Sequence, residues 1–177
     1  LKITNTPLAG CFVLEPQVFG DARGSFMESY NEQKFPAKVH FVQDNQSISQ
    51  KGVLRGLHFQ KGEHAQAKLV RVIRGEVLDV AVDIRPDSET FGQHFSIILN
   101  AENNKQLFVP RGFAHGFAVL EDNTIFAYKC DNFYHKEAES GIIYNDPDIA
   151  IDWMLDDDEI MLSDKDKLLP NLKMLSL

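Results

Sequence analysis

What most constrains this chain is its punctuation. Apolar runs of four to eight residues recur along its length, separated by short Gly, Asn and Asp turns. Runs of that length bounded by turn residues are strand signals, and many at close spacing predict a sandwich or barrel. "CFVLEP" near Cys11, "GSFMESY" at Gly24–Tyr30 and "VHFVQDNQS" at Val39–Ser47 each read as strands. "AKLVRVIRGEVLDVAVDI", Ala67–Ile84, reads as a hairpin turning at Arg74-Gly75-Glu76. "HFSIILN", "KQLFVP", "GFAVL" and "TIFAYKC" continue the series, giving about ten strands. Helical periodicity is confined to "YNEQKFPA" and the C-terminal "DDDEIMLSDKDKLL". The expectation is an all-β, jelly-roll sandwich or barrel with a few short helices, mainly C-terminal.

The chain has 177 residues, enough for one domain with a sizeable core, and no repeat or linker divides it, so 1–177 is read as a single unit. Its formal net charge is −8, which argues against a nucleic-acid surface and requires local cations around any anionic ligand. Part of the acid sits in Asp156–Glu159, which reads as a solvated loop or helix start. No apolar run approaches the ~18–20 residues of a membrane helix, and "LKITNTPLAG" has no signal-peptide architecture. The two cysteines, Cys11 and Cys130, suggest neither a disulfide framework nor a CxxC site. A reducing cytoplasm is the expectation.

Side chains two apart share a face of a strand. In "GVLRGLHFQ", His58 therefore lies with Gly56 and Gln60, opposite Leu57 and Phe59. Lys68 lies with Val70 and Val72. Asp79 lies with Val77, Ala81 and Asp83, while Leu78, Val80, Val82 and Ile84 form a wholly apolar opposite face. A few charges among small apolar groups suit a lined cavity, although a structural Asp79–Lys68 ion pair explains the pattern as well. Tyr128, in a run of apolar residues, reads equally as a core tyrosine.

"FVPRGFAHGF" sets Pro110, Gly112 and His115 at the spacing of the second cupin motif. The first cupin motif needs His-x-His, and this chain has His58-Phe59-Gln60, then Glu63 and His64. The broken pair argues against a dedicated metal site.

Taken in order, "VFGDARGSFMESY", "FVQDNQS", "GVLRGLHFQ", "AKLVRVIRGEVLDVAVDIR", "FGQHFS", "QLFVPRGFAHGF", "YKCDNFY" and "LSDKDK" resemble the dTDP-4-dehydrorhamnose 3,5-epimerases from about Leu14 to Leu169. The resemblance implies inversion of carbons 3 and 5 of dTDP-4-dehydro-6-deoxy-D-glucose, on the route to dTDP-L-rhamnose. It implies a metal-free enzyme without cofactor, and a homodimer in which an N-terminal strand reaches the partner's site. It implies His58 as base, Asp166 as its orienting carboxylate, Lys68 beside the carbon-4 oxygen, Asp79 beside that lysine, and Tyr128 as the opposing acid. The substrate contacts implied are Arg23 and Glu28 on the exchanged strand, Gln43, Asp44 and Asn45, Arg55 at the diphosphate, Gln60, His115, Tyr134 on thymine, Glu139 and Lys165. Ala67, where the family often has glycine, and Asp164, beside Lys165, are the departures. Three rival readings are a single-carbon epimerase of a related dTDP-sugar, a metal-dependent cupin, and a non-catalytic sugar-binding jelly roll.

Overall fold

In the computed structural model, which describes residues 1–175, thirteen strands build two antiparallel sheets and a separate hairpin. They are β1 (Lys2–Asn5), β2 (Phe12–Glu15), β3 (Val18–Asp21), β4 (Gly24–Met27), β5 (Gln43–Ser49), β6 (Leu54–Gln60), β7 (Lys68–Arg74), β8 (Glu76–Asp83), β9 (His94–Asn100), β10 (Gln106–Val109), β11 (Phe113–Val119), β12 (Thr124–Cys130) and β13 (Glu139–Gly141). One sheet runs β1-β2-β10-β7-β12-β5, the other β13-β6-β11-β8-β9, and β3 pairs with β4 alone. The all-β sandwich expected from the turn spacing is the fold.

Two local expectations are corrected. Ala67–Ile84 is not a hairpin, because β7 lies in the six-stranded sheet and β8 in the five-stranded one. The chain changes sheet at Gly75, whose φ of +79° favours glycine and where a Cβ would collide with Thr124. The expected helices are likewise missing. Among the described residues there are only three-residue 3-10 turns, including Glu32–Lys34, Asp166–Leu168 and Leu172–Met174. Pro36 interrupts the first segment and Pro170 bounds the second, whose three consecutive aspartates are poor helix formers.

Strand alternation sorts the apolar residues into layers. Val70, Val72, Val77, Ala81, Leu107, Phe117 and Phe126 fill the space between the sheets. Leu78, Val80, Val82 and Ile84 face outward from the five-stranded sheet, where Ile142, Ile149, Trp153 and Leu172 cover them. Burial of each such side chain contributes about 1.5–3 kcal/mol, offsetting the entropy lost by ordering the irregular C-terminal segment. On the outer face of the other sheet, Phe12, Leu69 and Phe108 pack beneath Tyr30, Phe35 and Phe41. No described helix is long and apolar enough to cross a membrane.

Candidate active site

Strict alternation would place Arg55 and His58 on opposite faces of β6. The structure puts them on the same one. His58 pairs with His115 of β11, but Arg55 pairs with Phe117, so three steps along β6 match two along β11. The irregularity falls at Gly56, with φ +128°, where a Cβ would come within 2.6 Å of Gly116 Cα. Leu54 and Leu57 consequently both reach the outer apolar layer, and Arg55 and His58 both turn inward.

His58 lies in the walls of two cavities. One, of about 170 Å³, is also lined by Gln43, Asn45, Gln60, Lys68, Tyr128, Tyr134 and Glu139. The other, of about 450 Å³, is also lined by Arg55, Glu139, Lys165 and Asp166. The histidine comes from the five-stranded sheet, while Lys68 and Tyr128 come from the facing one. A ligand in the first cavity therefore meets an imidazole on one wall and a phenol with an ammonium on the other.

His58 Nε2 lies 2.7 Å from Asp166 Oδ1. Asp166 Oδ2 accepts from the Gly56 N–H at 3.4 Å, and the Asp166 N–H donates to Ser163 Oγ. Burial alone would raise the Asp166 carboxyl, but the His58 hydrogen bond and charge, with the Gly56 and Ser163 contacts, outweigh it and hold it below its ordinary value. An ionised Asp166 accepts a hydrogen bond from the Nε2–H of a neutral imidazole, which leaves the lone pair on Nδ1.

Across the cavity, Lys68 Nζ sits 5.7 Å from the centre of the Tyr128 ring. Burial pushes the Lys68 ammonium below its usual range, while the charges of Asp79 and Glu139 push it back up. Burial raises the Tyr128 phenol, so it is protonated at neutral pH. Such a phenol can donate a proton, and the ammonium can receive a developing negative charge.

Asp79 is fully buried, and its hydrogen bond goes to His115 Nε2 at 2.9 Å rather than to Lys68, which it influences through charge alone. His115 is itself buried, stacked against Phe126. At the other end, Glu139 accepts from Tyr134 Oη at 2.7 Å and pairs with Lys165. Burial opposes the Glu139 charge, but these two partners outweigh it and keep the carboxyl low.

The remaining candidates divide by parity. Gln43 and Asn45 face the cavity, whereas Asp44 between them points outward to Lys129 at 2.9 Å. Asp44 lines a separate groove of about 280 Å³ on the outer face of the six-stranded sheet. Arg23 pairs with Asp21 and Glu28 with Lys34, and neither lines the His58 cavities. Sequence reading missed Gln66, which lines the first cavity, Ser163, and Ser49, whose Oγ accepts from Arg55 at 3.3 Å. Strand parity could have found Ser49, because it shares a face with Gln43 and Asn45.

The family model for dTDP-4-dehydrorhamnose 3,5-epimerase matches residues 5–174. The enzyme of that name from Escherichia coli strain K12 is 51% identical over 173 residues, covering 96% of this chain and 93% of that protein. The crystal structure of the Elizabethkingia anophelis NUHP1 dTDP-4-dehydrorhamnose 3,5-epimerase superposes with a TM-score of 0.94 at 55% identity, covering 97% of this chain and 96% of that one. The dTDP-6-deoxy-D-glucose-3,5-epimerase of Legionella pneumophila Philadelphia 1, solved in complex with dTDP-4-keto-L-rhamnose, also has a TM-score of 0.94, at 49% identity over 99% of this chain and 94% of that one. With about half of its residues shared over nearly the full length of these enzymes, the chain belongs to the dTDP-4-dehydrorhamnose 3,5-epimerase family.

Proposed function

We propose that the 3,5-epimerisation of this family is carried out here by His58, Lys68 and Tyr128 across the cavity between the sheets. Carbons 3 and 5 of dTDP-4-dehydro-6-deoxy-D-glucose both flank the ketone at carbon 4. Their protons are acidic because the resulting carbanion delocalises onto that oxygen. His58 Nδ1 takes the proton, with Asp166 holding the ring and stabilising the imidazolium. Lys68 stabilises the enolate, and Tyr128 returns a proton from the other side. The imidazolium then loses its proton to solvent and the phenolate regains one, resetting both groups for the second carbon.

Inversion requires two different groups, since a single group returning its own proton restores the starting centre. The observation that carries the reading is that His58 and Tyr128 stand on facing sheets around one cavity. Asp79 supports the charge of Lys68, and His115 holds Asp79 through a hydrogen bond. Arg55 and Lys165 supply cations for the diphosphate, Tyr134 a platform for thymine, and Gln43, Asn45 and Glu139 polar contacts to the sugar nucleotide. Asp44 is assigned to the outer surface.

We read residues 1–177 as one domain that works as a homodimer, with the β3–β4 hairpin carrying Arg23 and Glu28 to the partner's site. The support is that both residues lie outside this chain's own cavities, on or beside a hairpin that pairs with neither sheet and exposes Val18, Phe19 and Phe26. Unpaired buried thiols at Cys11 and Cys130 fit a reducing cytoplasm.

The test is incubation with dTDP-4-dehydro-6-deoxy-D-glucose in deuterated water, read by NMR. Deuterium at both carbons 3 and 5 of an L-configured product is expected. Exchange at one carbon alone would make this a single-carbon epimerase.

A further inference from the structure

Gln60 ends the strand that carries the base, two residues beyond His58. It was expected to touch substrate, but its side chain is committed elsewhere. Nε2 donates to the carbonyl of His64 at 2.7 Å and to that of Phe133 at 3.1 Å. Oε1 accepts from the His135 N–H at 2.6 Å. A glutamine amide has two N–H donors, and both are used. The residue is 7% exposed, so the three bonds are sheltered from competing water.

Tyr134 lies between two of those three anchor points. Its own N–H donates to Gln43 Oε1 at 3.0 Å, and the residue is 54% exposed. The backbone is thus gripped and the hydroxyl is tied to Glu139, while the exposed ring can receive a flat ligand. Neighbouring contacts close the same clasp. The rings of His64 and His135 stack at 3.9 Å, and Gln66 Nε2 donates to the Asn132 carbonyl at 2.7 Å.

We propose that Gln60 is a positioning residue that holds the Phe133–His135 loop, and with it the nucleobase platform Tyr134, at a set distance from the base on its own strand. The inference rests on the reading of Tyr134 as that platform. The side-chain hydrogen bonds of Gln60 go to the turn and the loop, not to His58, Lys68 or Tyr128. Its loss therefore weakens nucleotide binding and leaves the chemical step intact.

The experiment compares Gln60→Leu, Tyr134→Ala and the double variant in the full-length chain. It measures kcat and KM for the ketosugar nucleotide and the dissociation constant of TDP by calorimetry. Gln60→Leu is expected to raise KM and the TDP dissociation constant about tenfold, with kcat within about twofold. The double variant is expected to bind no more weakly than Tyr134→Ala, because both changes remove one platform. Gln60→Glu keeps the acceptor for His135 and loses both donors. It is expected to act in the same direction, and it decides the matter if the leucine variant does not fold. A fall in kcat at unchanged TDP affinity, or losses that add in the double variant, would overturn the role given to Gln60. Unchanged TDP binding by Tyr134→Ala would remove the nucleobase reading itself. Weakened binding by Tyr134→Ala beside unchanged binding by the Gln60 variants would remove Gln60 alone.

Discussion

Two histidine–aspartate pairs lie side by side in this molecule. His58 and His115 are cross-strand partners on β6 and β11, and their carboxylates stand at 2.7 and 2.9 Å. Yet the His58 side chain is 29% exposed, and that of His115 only 6%. Asp166 reaches His58 from an irregular segment far along the chain, while Asp79 reaches His115 from the adjacent strand β8. The hydrogen-bonded pair is thus the same in both places, and what differs is access. An imidazole with a free nitrogen on a cavity can exchange a proton with a ligand, whereas one packed against Phe126 serves the wall.

The sharpest way to break this comparison is to exchange the outcomes of the two histidines. His58→Ala is expected to lower deuterium exchange at carbons 3 and 5 by about 10⁴-fold with the fold retained, as judged by circular dichroism. Wash-in at the wild-type rate would remove His58 as the base. Tyr128→Phe sharpens the two-wall picture, because substrate should still lose its proton while turnover to the L-sugar falls by about 10³-fold. If both quantities matched wild type, the acid would have to be another group.

Asp166→Asn is expected to reduce exchange by about 10²-fold, because the amide no longer fixes the imidazole tautomer or stabilises its cation. It has a second signature in stability. The folded carboxyl lies below its ordinary 3.8, so its contribution is complete above that value and disappears as pH falls through the lower folded one. The difference in urea stability between wild type and Asp166→Asn should therefore shrink as pH falls below 3.8. A gap that widened below that value would contradict an ionised Asp166.

The smallest catalytic effect belongs to the buried pair. His115→Asn should keep exchange within about tenfold of wild type while costing about 2 kcal/mol of stability from a broken buried hydrogen bond. That loss corresponds to a fall of about 4–8 °C in Tm by calorimetry. A loss of exchange as deep as that of His58→Ala, at unchanged Tm, would erase the distinction between the two pairs.

Much of this was legible in the residues. Period-two alternation identified the inward face of Lys68 and Asp79 and the apolar outward face of Leu78, Val80, Val82 and Ile84. It could also have separated Asp44 from Gln43 and Asn45, which reading them as one motif obscured. The placement of Arg55 beside His58 was not readable by the same rule. Alternation fails at Gly56, and the failure depends on Gly116 of another strand. The role of Gln60 was hidden for a similar reason, since its partners lie in a turn and a loop up to 75 residues away.

Local chemistry settles what depends on neighbours in the chain. The strand lengths, the sidedness of each strand and the titratable groups able to move a proton or hold an anion are all properties of short segments. Folding alone decided that β7 and β8 enter different sheets, that Asp166 reaches His58, and that Asp79 turns to His115 rather than Lys68. These pairings join segments remote in sequence. They are selected by the closure of two sheets around a shared core, which no short stretch of residues encodes.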